Sequence, residues 1–223
     1  MAIAERYSRQ VLHWGERKQE QIEDSVVLVA GVGGLGATVA QLLTRGGVGK
    51  LYLVDDGLVD WPDLNRQVLY AEEDIGSSKL MLACDRLRRI NTSVEVVPLP
   101  GRIDEGFQLP ADVSVVADCL DNYQSRFLLE TCLPENAYLV HAGVKGEQGQ
   151  VLTLLKGKSQ LLVDFFAGAG QPQGDIPVTG DAAVVVAGLM ASELFAVLGD
   201  EPKLLDRCLV ISLSDFHISF LNI

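Results

Sequence analysis

Residues 26–55, VVLVAGVGGLGATVAQLLTRGGVGKLYLVD, constrain the fold of this chain more than any other stretch. An apolar run at 26–30 leads into the turn Gly31-Val32-Gly33-Gly34-Leu35-Gly36, then a helical segment at 37–45 and a second apolar run ending on Asp55. This order is that of a parallel strand-helix-strand unit. Its glycines make the tight turn, let the backbone approach a phosphate and let the helix lie close on the sheet. The helix start offers unpaired N–H groups and a positive dipole end to an anion. Asp55 follows about 20 residues after the turn, where a carboxylate can accept hydrogen bonds from a ribose. The stretch reads as half of a nucleotide site. Dinucleotide oxidoreductases and ATP-using enzymes share it, so the choice between them falls to residues downstream.

A chain of 223 residues suits one domain. Its apolar fraction of 48% and charged fraction of 22% are those of a soluble globular protein with a sizeable core. A net charge of −12 argues against a nucleic-acid or anionic-membrane surface, which needs clustered Lys and Arg. The N-terminus has no apolar run behind its charges, as a secretory signal would. The longest apolar stretch, 182–191, is shorter than the roughly 18 residues a membrane span needs. The expectation is a cytoplasmic protein. Cys84, Cys119, Cys132 and Cys208 are scattered with no CxxC pair, which predicts neither zinc nor disulfides but small buried apolar residues.

The expected fold is a Rossmann-like α/β open sheet, mostly parallel, with an antiparallel extension in the C-terminal part and helices on both faces. Residues 1–24 read as an N-terminal helical arm lying over the domain or over a neighbour, with sparse apolar positions at Tyr7, Val11, Leu12 and Ile22. Residues 25–155 form the nucleotide-binding part, 156–180 a glycine-rich crossing loop, and 181–223 a C-terminal helix and hairpin. A helix at 78–90 buries Leu80, Ala83, Leu87 and Ile90 at helical spacing, with Ser77 as its cap. Short apolar runs at 94–98, 113–117 and 138–142 read as strands buried on both faces, and 151–155 begins the antiparallel part. A buried helix spans 182–198. The tail alternates, which predicts a half-buried strand with Phe216, Ile218 and Phe220 inward, paired with 209–213 across Ser214-Asp215.

Three features bear on the nucleotide. Asn65-Arg66-Gln67 lies in a long loop beyond the second strand, at the rim where parallel sheets bind ligands, and a guanidinium there can fork onto a phosphate; a surface ion pair is the plain alternative. Lys79 falls in the first turn of its helix, against the dipole, an arrangement that a phosphate at that helix end would favour and that a solvated lysine would merely tolerate. Asp118 and Asp121 end a strand. Asp121 is open to two roles, N-cap in a box with Gln124 or ligand to Mg²⁺ beside phosphate oxygens and water. A glycine turn, a ribose acid, two cations and a metal-binding acid on one rim suit a triphosphate better than a nicotinamide dinucleotide.

The chain resembles the ThiF, MoeB and HesA family, relatives of the ubiquitin-activating enzymes. The matching elements are Arg6-Tyr7-Ser8-Arg9-Gln10, Gly31 to Gly36, Val54-Asp55, Asp63-Leu64-Asn65-Arg66-Gln67, Ile75-Gly76-Ser77-Ser78-Lys79, Asp118 to Asn122 and His141-Ala142-Gly143, in family order. The resemblance implies ATP-dependent adenylation of a carboxylate, often the C-terminal glycine of a small ubiquitin-like sulfur-carrier protein in thiamin- or molybdopterin-type cofactor synthesis. It implies that Gly31, Gly33, Gly34, Gly36, Asp55, Asn65, Gln67 and Asn122 line the ATP site. Arg66 and Lys79 would act on the phosphates, Asp121 on Mg²⁺, and Arg9 on the phosphates of a partner subunit's ATP, which makes the protein a homodimer with shared sites. For Arg9, an exposed helix charge is the alternative, with Arg6 a neighbouring candidate.

Departures from the family pattern also carry expectations. The two CxxC pairs many members carry are missing, so no structural zinc is expected. No cysteine stands at 167–180, so no thioester or acyl-disulfide step is expected. Asp63 replaces a frequent asparagine and Gly57 a frequent acid. Two alternatives stand beside the carrier reading: a small-molecule or peptide carboxylate as acceptor, and an NAD-dependent oxidoreductase, for which no Tyr-x-x-x-Lys pair is found.

Overall fold

The computed structural model describes residues 5–168, 174 and 176–223. Residues 1–4 of the arm and 169–173 and 175 of the crossing loop lie outside the described residues. Eight strands form one sheet in the order β3-β2-β1-β4-β5-β6-β7-β8. The strands are β1 (Val26–Ala30), β2 (Lys50–Asp55), β3 (Glu95–Pro100), β4 (Val115–Asp118), β5 (Tyr138–Lys145), β6 (Gln148–Leu155), β7 (Arg207–Ser212) and β8 (His217–Asn222). The first five are parallel, and β6, β7 and β8 extend the sheet antiparallel. The expected fold class holds.

The alternation of β1 shows how the layers are built. Val27 and Val29 point into a core shared with α3 (Gly34–Gly46), α4 (Lys79–Ile90) and α7 (Gly180–Leu198). Leu28 and Ala30 point into a second core with α5 (Tyr123–Thr131) and the one-turn α6 (Leu162–Phe165). Helices therefore cover both faces, which is why the parallel strands read as unbroken apolar runs. Among the described helices α7 alone is long and apolar enough to cross a bilayer, and 61% of its apolar window is buried inside the protein.

The arm forms α1 (Ser8–Trp14) and α2 (Glu16–Glu23) and lies on its own domain. Tyr7 and Ile22 are buried as expected, but Leu12 is 85% exposed. The Tyr7 hydroxyl accepts a hydrogen bond from Asn91 Nδ2, while Gln10 and Gln19 both donate to the Gly46 carbonyl at the end of α3.

Two local expectations fail. The tail strand β8 pairs with β7 as expected but is not half-buried: Ile218 and Phe220 are 49% and 50% exposed, because it is the edge strand and no described helix covers it, and Phe216, 85% exposed, falls in the turn before it with φ +54°. Helix α4 is capped by Ser78, whose hydroxyl accepts the Met81 N–H at 3.4 Å, rather than by Ser77.

Candidate active site

Strand order reverses between β1 and β4, so the loops after these strands diverge and leave a crevice at their carboxyl ends. The turn after β1 lies in it. A methyl group on Gly36 would sit 1.8 Å from the Gly31 carbonyl oxygen, and Gly31 holds φ +85° against the Cys119 carbonyl. Only glycine fits either place. No side chain caps α3, whose N-cap is Gly33, so its first N–H groups remain free for an anion.

Asp55, at the end of β2, binds the turn itself: one carboxylate oxygen accepts the Val32 N–H and the other the Gly57 N–H, each at 2.8 Å. Tyr70 braces the same turn from below, its hydroxyl donating to the Val32 carbonyl at 2.8 Å. Burial and the nearby Asp55 and Asp63 charges push its pKa well up, so it stays protonated. Nothing in the sequence separates Tyr70 from an ordinary core tyrosine.

The Asn65-Arg66-Gln67 segment folds over the turn. A methyl on Gly34 would touch the Arg66 side chain at 3.4 Å, and one on Gly33 would touch the Gln67 amide at 3.6 Å. Arg66 donates to the Pro62 carbonyl at 2.6 Å and the Asn65 Oδ1 at 2.9 Å, and Asn65 Nδ2 reaches Val178 O at 3.4 Å. Lys79, from the start of α4, joins the cluster: its ammonium lies 2.8 Å from Asp63 and its side chain is 14% exposed. It is therefore not a solvated lysine. The anion that offsets its unfavourable place on the helix is the Asp63 carboxylate.

Asp121 is exposed in the loop after β4, two residues beyond Cys119, whose carbonyl lies against Gly31, and has Asn122 Nδ2 at 3.2 Å. The capping box with Gln124 does not form. Asn122 caps α5 instead, its Oδ1 accepting the Ser125 N–H at 2.9 Å. Among the described residues no three His, Cys, Asp or Glu side chains gather as a metal site. A metal at Asp121 would take its other ligands from phosphate and water, which suits Mg²⁺.

Asp118 is not available to a ligand. It is fully buried, 2.7 Å from His141 Nδ1 and 3.7 Å from Arg126 Nε. Burial alone would raise its carboxyl, but the hydrogen bond from His141 and the charge of Arg126 hold it below the usual range. Burial lowers the His141 pKa against the pull of Asp118, so the ring is neutral, donating from Nδ1, with Nε2 left to accept from Gln150 at 3.4 Å. Three of the four cysteines are buried, and Cys132 is partly exposed, unlike the expectation.

Arg9 stands apart from the crevice. It is exposed on α1, and that helix is anchored at Gly46, the far end of α3 from the turn. The 13 residues of α3 span about 20 Å.

The sheet order and its antiparallel extension place the chain in the Rossmann-like α/β class. The ThiF family model matches residues 7–223. The SAMP-activating enzyme E1 of Haloferax volcanii is 35% identical over 213 residues, covering 91% of this chain and 78% of that protein. HesA of Trichormus variabilis heterocysts is 32% identical over 219 residues, covering 94% and 81%. Mouse adenylyltransferase and sulfurtransferase MOCS3 is 42% identical over 151 residues, where the match takes in 66% of this chain but 33% of that longer protein. The chain belongs to the ThiF family of E1-like adenylyltransferases, enzymes that form acyl-adenylates. The structure of E. coli MccB superposes on 99% of the chain and 70% of its own with a TM-score of 0.87; at 20% identity this concerns the fold alone.

Proposed function

We propose that this protein adenylates the C-terminal glycine of a small ubiquitin-like sulfur-carrier protein, using ATP, and that it does so without a catalytic-cysteine step. The observation that carries this is the meeting of Arg66 and Lys79 beside the uncapped start of α3, in a molecule of net charge −12. Such a concentration of donors and cations suits a polyphosphate. The homologues named SAMP-activating enzyme E1 and MOCS3 support a carrier as acceptor.

The chemistry asks for placement more than for proton transfer. A terminal carboxylate is already ionised at pH 7 and can attack the α-phosphate without a general base. Asp55 orients the nucleotide through the ribose, Asn65 and Gln67 shape the pocket wall, and Arg66 and Lys79 balance charge that grows on the phosphate oxygens and the departing pyrophosphate. Mg²⁺ held by Asp121 would supply Lewis-acid neutralisation of that charge. Arg9 cannot reach its own turn across the length of α3, which supports its action on a partner's ATP in a homodimer. We include in this proposal a cytoplasmic location for the reaction.

Arg66→Ala and Asp121→Ala are each expected to lower ATP–pyrophosphate exchange at least ~100-fold while the circular dichroism spectrum stays that of wild type. Exchange at the wild-type rate in either variant would remove this assignment. A second acceptor class, a small-molecule or peptide carboxylate, is permitted by the absence of cysteine at 167–180, which leaves the adenylate to an outside nucleophile. Exchange that depends on an added carrier ending in Gly-Gly, and on no smaller acid, decides for the carrier.

A further inference from the structure

Asp63 is the hub of the cation cluster. Its Oδ2 takes the Lys79 ammonium at 2.8 Å and the Asp60 N–H at 3.0 Å; its Oδ1 takes Gln67 Nε2 at 2.6 Å and lies 3.6 Å from the Arg66 guanidinium. The residue is 8% exposed. Both cations assigned to the polyphosphate are therefore already engaged by one buried carboxylate belonging to the chain itself. An asparagine amide has nearly the same shape as this carboxylate. Gln67 has a second, buried oxygen, Oε1, with no hydrogen-bond partner among the described residues. With asparagine at position 63, a flip of the Gln67 amide would present Oε1 to the new Nδ2 group, and the Asp60 N–H would still meet an oxygen. What aspartate adds at this position is charge.

We propose that Asp63 is an internal counter-anion that holds Lys79 and Arg66 in place in the empty site and then competes with the incoming phosphates for them. A polyphosphate entering beside it meets a fixed negative charge at short range in a shielded setting, where like charges repel more strongly than in water. The repulsion grows with the charge the ligand brings. The site therefore discriminates against the bare polyanion and favours one whose charge a divalent cation has reduced, so Asp63 is a specificity-determining residue for the form of ATP accepted. This inference rests on the ATP reading of the site and adds to it a residue whose replacement improves binding.

The test is calorimetric titration of ATP into the wild type and Asp63→Asn, with Mg²⁺ and with EDTA. In EDTA the variant is expected to bind about tenfold more tightly than the wild type, with a smaller gain in Mg²⁺. Equal or weaker binding by the variant in EDTA would overturn the proposal while leaving the nucleotide site in place. Failure of both proteins to bind ATP in either condition would instead remove the site reading on which it rests. Should the variant not fold, as judged by its melting curve, inorganic tripolyphosphate titrated into the wild type replaces it. Binding there is expected to be about tenfold tighter with Mg²⁺, and equal affinity would overturn the proposal.

Discussion

Asp118 and His141 meet in full burial, one ionised and one neutral, and each binds protons less readily in the folded protein than in the unfolded chain. The unfolded state therefore carries more protons on acidification, and stability falls with falling pH. For His141 the loss begins near the unfolded histidine value of about 6.5; for Asp118 it begins near the unfolded aspartate value of about 3.9 and runs down through its folded one. The thermal midpoint is expected to drop between pH 7.5 and 5.5 in the wild type, and the drop should flatten in His141→Gln, which keeps a donor toward Asp118 but cannot titrate. An equal slope in both proteins would show that other groups set the pH response. At this scale the sequence was informative about residue type and less so about partner. Asp63 stands out as a departure from its motif, yet nothing in the order of residues shows that Lys79, sixteen positions away, folds onto it. Asp121 and Asn122 are both acceptable caps by composition, and only the direction of the chain leaving β4 gives the α5 N–H groups to Asn122.

At the scale of elements, the strand-helix-strand opening was legible because glycine positions, apolar periods and a terminal acid all require the same path. The buried helix α7 and the parallel strands followed from burial on all sides, which leaves runs without polar interruption. The tail departs from its expected burial for a physical reason. Alternation records which side chains share a face, and it does not record whether anything lies against that face. In β8 nothing described does, and the Arg207 guanidinium over the Phe220 ring, 4.6 Å from its centroid, is one of the few covers that strand has. Ile218→Lys is accordingly expected to change folding stability by less than about 0.5 kcal/mol in urea denaturation. A loss of 2 kcal/mol or more, of the order expected for a buried aliphatic residue, would mean the strand is covered in solution.

For the whole molecule, the question is whether one chain holds a complete site. The arm is tied to the end of α3 by Tyr7, Gln10 and Gln19, so Arg9 belongs to a different region from Arg66. If sites are shared across a homodimer, mixing Arg9→Ala with Arg66→Ala after subunit exchange restores one intact site in each mixed dimer. About a quarter of wild-type exchange activity should return in an equimolar mixture, since half the dimers are mixed and each has one good site of two. No recovery would assign Arg9 to the exposed helix surface. The sequence pattern placed an arm here without saying what it lay on; the two glutamines that converge on one carbonyl are decisive, and such convergence has no periodic signature.

The pairing of Lys79 and Arg66 with an acid of their own has a kinetic corollary. Seen from several nanometres away, the crevice offers an approaching nucleotide no attractive beacon, because Asp63 offsets one of the two positive charges and the surrounding body is strongly negative. Dissolved salt shortens the reach of that negative field, to about 8 Å at physiological strength. Nucleotide capture measured by stopped flow should thus speed up as sodium chloride is added, the opposite of the slowing seen where opposite charges guide an encounter.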